Sequence, residues 1–169
     1  MAKVAFLGLG VMGYPMAAHL KNKGGHDVTV YNRTKANAEK WVDEHGGEMA
    51  LTPATAAADK DFVFACVGND DDLRSVVLGD DGALAGMKAG AVFVDHTTAS
   101  AQVARELHEI AGQKQLGFVD APVSGGQAGA VNGVLTVMCG GDPATFERIR
   151  PVAAAYSRAI TLVGAPGAG

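Results

Sequence analysis

Val4-Ala5-Phe6-Leu7-Gly8-Leu9-Gly10-Val11-Met12-Gly13 decides how the chain is read. Four apolar residues run straight into G-x-G-x-x-G. Beyond it, from Met12 to Lys23, apolar residues recur at helical spacing until Gly24-Gly25 stops them. A strand that turns through this hexapeptide into a helix is the fingerprint of a dinucleotide site. Gly8 permits the tight turn, Gly10 lets the backbone approach a pyrophosphate, and Gly13 lets the helix pack closely on the strand. Unpaired N–H groups at the helix start, aided by the helix dipole, then face the anion. Gly8, Leu9, Gly10, Val11, Met12 and Gly13 are therefore the expected pyrophosphate loop.

Outward from this stretch the pattern alternates. Strand-like runs at 27–31, 61–67, 90–95, 116–120, 133–139 and 160–163 are separated by helix-like runs at 34–45, 52–58, 70–78, 100–114 and 142–155. Continuous apolar strands such as Asp61–Val67 suit a parallel sheet buried on both faces. The expected fold is α/β, a Rossmann-type doubly wound and mostly parallel sheet in a single domain over residues 1–164. Residues 165–169, Ala-Pro-Gly-Ala-Gly, follow the last strand, at a point where a new element is expected to begin.

The end of the second strand bears on cofactor choice. An NAD site usually carries Asp or Glu there to bond the ribose 2′-OH. This chain has Tyr31-Asn32-Arg33-Thr34 instead. Arg33 offers a fork of donors to a 2′-phosphate, and Thr34 a hydroxyl or N–H. Asn32, Arg33 and Thr34 thus predict NADP as cofactor, with NAD as the weaker choice. Two further strand ends should reach the same crevice: Val67-Gly68-Asn69, and Asp95-His96-Thr97-Thr98. Thr97 and Thr98 would bring hydroxyls to the nicotinamide end. The same residues also suit ordinary turns and caps. Asp70-Asp71-Asp72 reads as a solvated helix start, where acids complement the dipole.

A second motif, Asp120-Ala121-Pro122-Val123-Ser124-Gly125-Gly126, follows another strand. A serine hydroxyl beside bare glycine backbone can hold a carboxylate, and a tight turn explains the same residues. With this segment the chain resembles the β-hydroxyacid dehydrogenase family, to which 3-hydroxyisobutyrate dehydrogenase and tartronate semialdehyde reductase belong. The resemblance is carried by Phe6 to Met16, Tyr31 to Thr34, Asp95 to Thr98, and Asp120 to Gly126 continuing through Gly133 to Gly141. It spans almost the whole chain in the family's order.

The resemblance implies that Ser124, Gly125 and Gly126 bind a substrate carboxylate. It implies that Thr98 meets the nicotinamide end, and that Val67 and Gly68 stand where the family has Leu-Pro beside the cofactor. Gly68 for that proline is a departure, as is Asp72 where a relative carries Asn. The family's catalytic lysine follows a G-x-G-Q-x-x-K motif, and Gly167-Ala168-Gly169 matches only its opening. No catalytic residue is therefore expected within these residues, and the lysine is expected just past Gly169. The implied activity is hydride transfer between NADP(H) and a small 3-hydroxy acid, performed by a homo-oligomer of the full-length protein, with this chain alone inactive. A stand-alone NADP-binding sensor or interaction module is the competing reading. An imine reductase relative is a weaker one.

Composition narrows the classes. A net charge of −4 argues against a nucleic-acid surface. No apolar run approaches the roughly 18–20 residues of a membrane helix. The start enters a strand without a signal-peptide pattern, so a cytoplasmic location is expected. Cys66 and Cys139 sit far apart in apolar runs and the five histidines form no metal-spaced pair, so no metal is expected. Glycine is the outlier, 23 of 169 residues, about twice the usual ~7 %; many of these glycines fall in the motifs above.

Overall fold

The computed structural model describes residues 1–169. Its core is β1 (Lys3–Leu7), which pairs in parallel with β2 (Asp27–Tyr31) on one side and β4 (Phe62–Ala65) on the other. The sheet extends through β3 (Glu48–Met49) beyond β2, and through β5 (Val92–Asp95) and β6 (Gly117–Asp120) beyond β4, all in parallel. β7 (Val123–Ser124) and β6 then line one side of β8 (Leu135–Gly140), both antiparallel to it, and β9 (Ser157–Gly164) runs parallel along the other. The β6–β7 register is continuous: Asp120 faces Gly140, Val123 faces Val137 and Ser124 faces Thr136. Between them the Met138 N–H donates to the Pro122 carbonyl at 3.1 Å. One strand line is thus interrupted at a proline that has no N–H to give.

Alternate residues of β1 enter different cores. Val4 and Phe6 join one apolar cluster and Ala5 and Leu7 the other, all four fully buried. The first cluster is closed by α1 (Gly13–Asn22), α2 (Lys35–His45) and α8 (Pro143–Ala153). The second is closed by α3 (Pro53–Ala57), α4 (Asp70–Val77), α5 (Ala83–Gly86) and α6 (Ala101–Gln113). Helices on both faces are why these strands read as unbroken apolar runs. Trp41 is the largest fully buried side chain, and its indole N–H donates to the Tyr14 carbonyl.

Four elements differ from the sequence reading. β3 and β7 are two-residue pairings, too short to show a period. α5 is a single turn following Gly82. The glycine-rich α7 (Gly126–Asn132) has poor intrinsic helix propensity. It is held from outside: the His19 ring nitrogen Nε2 donates to the carbonyls of Ala130 and Val131 at 3.0 and 2.9 Å. Gly133, expected in a strand, is instead the left-handed cap of this helix, so β8 begins at Leu135.

A buried polar layer closes the end of β5. The Thr97 N–H donates to Asp95 at 2.9 Å. His96 Nδ1 donates to the Ala121 carbonyl at 2.6 Å, which leaves Nε2 to accept from the Tyr156 hydroxyl. Burial lowers the His96 imidazole from 6.5 to about 4. Burial raises the Asp95 carboxyl from 3.8 to about 7, with the nearby Asp120 adding to the rise and the Thr97 bonds opposing it. The two act on stability in opposite senses. Between about pH 4 and 6.5 the unfolded chain holds the histidine proton and the folded chain does not, so stability falls on acidification. For Asp95 the folded chain holds the proton between about pH 4 and 7, so stability falls as pH rises.

Two measurements check this packing. Trp41→Ala lowers the free energy of unfolding by about 3–5 kcal/mol in urea titration; a loss near zero would mean the indole does not fill the core as described. Asp95→Asn removes the compensating group, so its stability drops more steeply than wild type as pH falls from 6.5 toward 4, by up to about 1.4 kcal/mol per pH unit. An unchanged profile would contradict the burial of Asp95.

Candidate functional site: a crevice at the switch point of the sheet

The strand order reverses between β1 and β4, and there a crevice of about 430 Å³ opens. Ligands in doubly wound sheets bind at this point, beyond the carboxyl ends of the strands. The lining comprises Gly8 to Gly13 after β1, Tyr31 to Thr34 at the end of β2, Cys66 to Gly68 after β4, and Asp72, Ser75 and Val76 from α4.

Each glycine of the loop has a separate physical task. Gly8 adopts φ +98°, and a Cβ there would strike the Cys66 carbonyl oxygen. A Cβ on Gly13 would lie 2.0 Å from the Gly8 oxygen and 3.0 Å from the Phe6 ring, so the helix start presses directly on the turn. Gly10 has nothing within 4 Å of its Cβ position and faces open space. The Gly8 N–H donates to the Tyr31 carbonyl at 2.9 Å, and the Leu9 N–H to Asn32 Oδ1 at 2.8 Å. The N–H groups of Gly10, Val11 and Met12 have no partner within the chain, and no side chain caps α1. These three amides at an uncapped helix start form a ready anion cradle.

Asn32 braces the loop. Its amide group also donates to the Thr34 carbonyl at 3.0 Å, which ties the ends of β1 and β2 together. Arg33 projects from this brace with 86 % of its side chain exposed, and its guanidinium lies 3.7 Å from the Asp72 carboxylate. Thr34 lies at the N-cap of α2 without a side-chain capping bond, which leaves its hydroxyl unengaged.

On the β4 side, the Val67 N–H donates to the Thr97 hydroxyl at 3.0 Å. Thr97 is thus buried inside the turn and does not offer its hydroxyl to the crevice, and its neighbour Thr98 is exposed but lies outside the crevice lining. Asn69 lies outside the crevice lining; its Oδ1 caps α4 by accepting from the Asp72 N–H at 2.9 Å. The acidic run divides its work. Asp70 accepts from Ser100, Asp71 pairs with Arg74, and Asp72 faces the crevice. Asp72, Ser75 and Val76 share one helix face at i, i+3 and i+4, the spacing by which the sequence could have shown them as a lining. Cys66 also lines the crevice, and burial pushes its thiol up to about 11, far from the reactive range.

Ser124, Gly125 and Gly126 lie exposed at β7 and the start of α7, outside this crevice. Asp120, at the head of the same turn, is buried. It accepts the N–H groups of Gly167 and Gly169 at 2.9 and 2.8 Å, so the segment after β9 is fastened to the end of β6.

Residues 3–164 match the family described as the NAD binding domain of 6-phosphogluconate dehydrogenase. An uncharacterized oxidoreductase of Shewanella frigidimarina is 63 % identical over 169 residues, covering all of this chain and 58 % of that protein. A probable 3-hydroxyisobutyrate dehydrogenase-like protein of Arabidopsis thaliana is 40 % identical over 99 % of this chain and 55 % of its own length. Among solved structures, 3-hydroxyisobutyrate dehydrogenase of Mycobacterium tuberculosis, determined with L-serine, superposes with a TM-score of 0.93 at 36 % identity. It covers 100 % of this chain and 56 % of its own. The chain thus spans a little over half the length of these relatives. It belongs to the NAD-binding-domain family of 6-phosphogluconate dehydrogenase and is, within that family, similar to the amino-terminal domain of 3-hydroxyisobutyrate dehydrogenase-like oxidoreductases.

Proposed function

We propose that this chain binds NADP in preference to NAD and is the cofactor-binding half of an enzyme that moves hydride between that cofactor and a small 3-hydroxy acid. The observation that carries the reading is the row of three unpartnered amides at the uncapped start of α1, opening on a crevice whose far end holds Arg33. The donor set suits a dinucleotide: amides and a helix dipole for the pyrophosphate, a guanidinium for a 2′-phosphate, and apolar Val67 and Val76 on the walls. The bound dinucleotide would supply the hydride acceptor or donor.

The protein's own part is placement. Asn32 and the Gly8 turn hold the amides fixed before any ligand arrives, so little ordering accompanies binding. The exposed Ser124 hydroxyl and the glycine backbone after it can accept and donate to a substrate carboxylate, which would orient its carbinol carbon. L-serine, present with the mycobacterial relative, is itself a 3-hydroxy carboxylate, which supports this substrate class. Proton transfer is assigned to a lysine beyond the Gly167-Ala168-Gly169 segment that Asp120 fastens. A general acid–base group typically contributes about 10²–10⁴-fold, so residues 1–169 alone are expected to bind cofactor with little turnover. The free thiols Cys66 and Cys139 support a reducing, cytoplasmic setting.

Calorimetric titration of the chain with NADP+ and NAD+ tests the preference directly, and equal or tighter binding of NAD+ overturns it. Arg33→Ala should weaken NADP+ by about 10–100-fold, the worth of a charged hydrogen bond, and leave NAD+ nearly unchanged. Gly10→Val should weaken both nucleotides while thermal stability stays close to wild type, because no atom of the protein occupies the space its side chain would enter. Retention of nucleotide binding in that variant would remove the loop from the site.

A further inference from the structure

The two departures from the family pattern, Gly68 and Asp72, meet in space. A Cβ at Gly68 would lie 2.6 Å from Asp72 Oδ2, so the carboxylate occupies room that any side chain at position 68 would take. From there Asp72 Oδ1 reaches to 3.7 Å from the guanidinium of Arg33, which has no other ion-pair partner. The Asp72 carboxylate accepts no hydrogen bond within the chain, whereas Asp70 is engaged by Ser100 and Asp71 lies beside Arg74. Its backbone is held in place by the Asn69 cap.

We propose that Asp72 is a specificity-determining residue of the cofactor site, a carboxylate that competes with a ribose 2′-phosphate for Arg33 and so tempers the preference for NADP. The proposal rests on reading the crevice as a dinucleotide site. NAD enzymes place an acid at the end of β2; here the acid is delivered to the same neighbourhood from α4, across the crevice, while the end of β2 carries the base. A phosphate drawn to Arg33 must approach the Asp72 carboxylate, and like charges repel. A ribose 2′-hydroxyl can instead donate to that free carboxylate, so NAD meets no such opposition. The bare Cα of Gly68 is what admits the acid.

Calorimetric titration of wild type and Asp72→Asn with NADP+ and NAD+, at low and high salt, tests this. The amide keeps the shape and removes the charge. NADP+ should bind about tenfold more tightly to the variant, close to the scale of two unit charges about 4 Å apart in a water-like dielectric, while NAD+ is unchanged or weaker. The gain should shrink near 1 M salt, where the Debye length is about 3 Å. Asp72→Ser serves as a second neutral variant and should shift the ratio in the same direction. An unchanged ratio of the two affinities in both variants overturns the proposal, even if wild type prefers NADP+. A wild type that prefers NAD+, with variants shifted toward NADP+, supports the role of Asp72 and removes only the preference. Absence of binding to either nucleotide in every form overturns both.

Discussion

The start of α1 lies so close on the turn leaving β1 that a Cβ at Gly13 would overlap the Gly8 carbonyl oxygen. This apposition sets everything near the site. It forces glycine at position 13 and brings the first amides of the helix over the end of the sheet, while φ +98° and the Cys66 carbonyl oxygen force glycine at position 8. No side chain caps those amides. The turn is then fixed from the second strand, by Gly8 donating to Tyr31 and Leu9 donating to Asn32. A local constraint of a few atoms thus becomes an unsatisfied positive helix end held rigidly at the mouth of a crevice, which is the physical requirement for gripping an anion.

The charges around the crevice are arranged against this background. Arg33 is solvated, and its pairing with Asp72 across a partly exposed gap carries little energy by itself. Its importance is directional, because it decides which ionic groups share the space between β2 and α4. Below the crevice the titratable groups are of another kind. Asp95 and His96 are buried, hydrogen-bonded and shifted toward their neutral forms by loss of water. They pin the turns after β5 and β6 in place, and the imidazole stays neutral at neutral pH.

Beyond β6 the sheet changes character. A proline-interrupted strand line runs antiparallel to β8, and Asp120 at its head binds the backbone of residues 167 and 169. The turn that carries Ser124 and the segment after β9 are therefore mechanically joined, although some forty residues separate them in sequence.

What the sequence by itself determined is whatever a local pattern can encode. G-x-G-x-x-G between an apolar run and a helical period placed the loop. Alternation of strands and helices gave the doubly wound sheet, and Arg33 after β2 marked a basic strand end. The short pairings β3 and β7 and the glycine-rich α7 escaped, because two residues have no period and α7 is stabilised by His19 from a distant helix. Only the tertiary structure decided which face of the Asp70–Asp72 run met the crevice, that Thr97 turned inward to Val67, and that Asp72 lay against Gly68 and Arg33. Those outcomes depend on how three strand ends are brought side by side, and hydrogen bonds and charges act through distances in space that sequence spacing does not record.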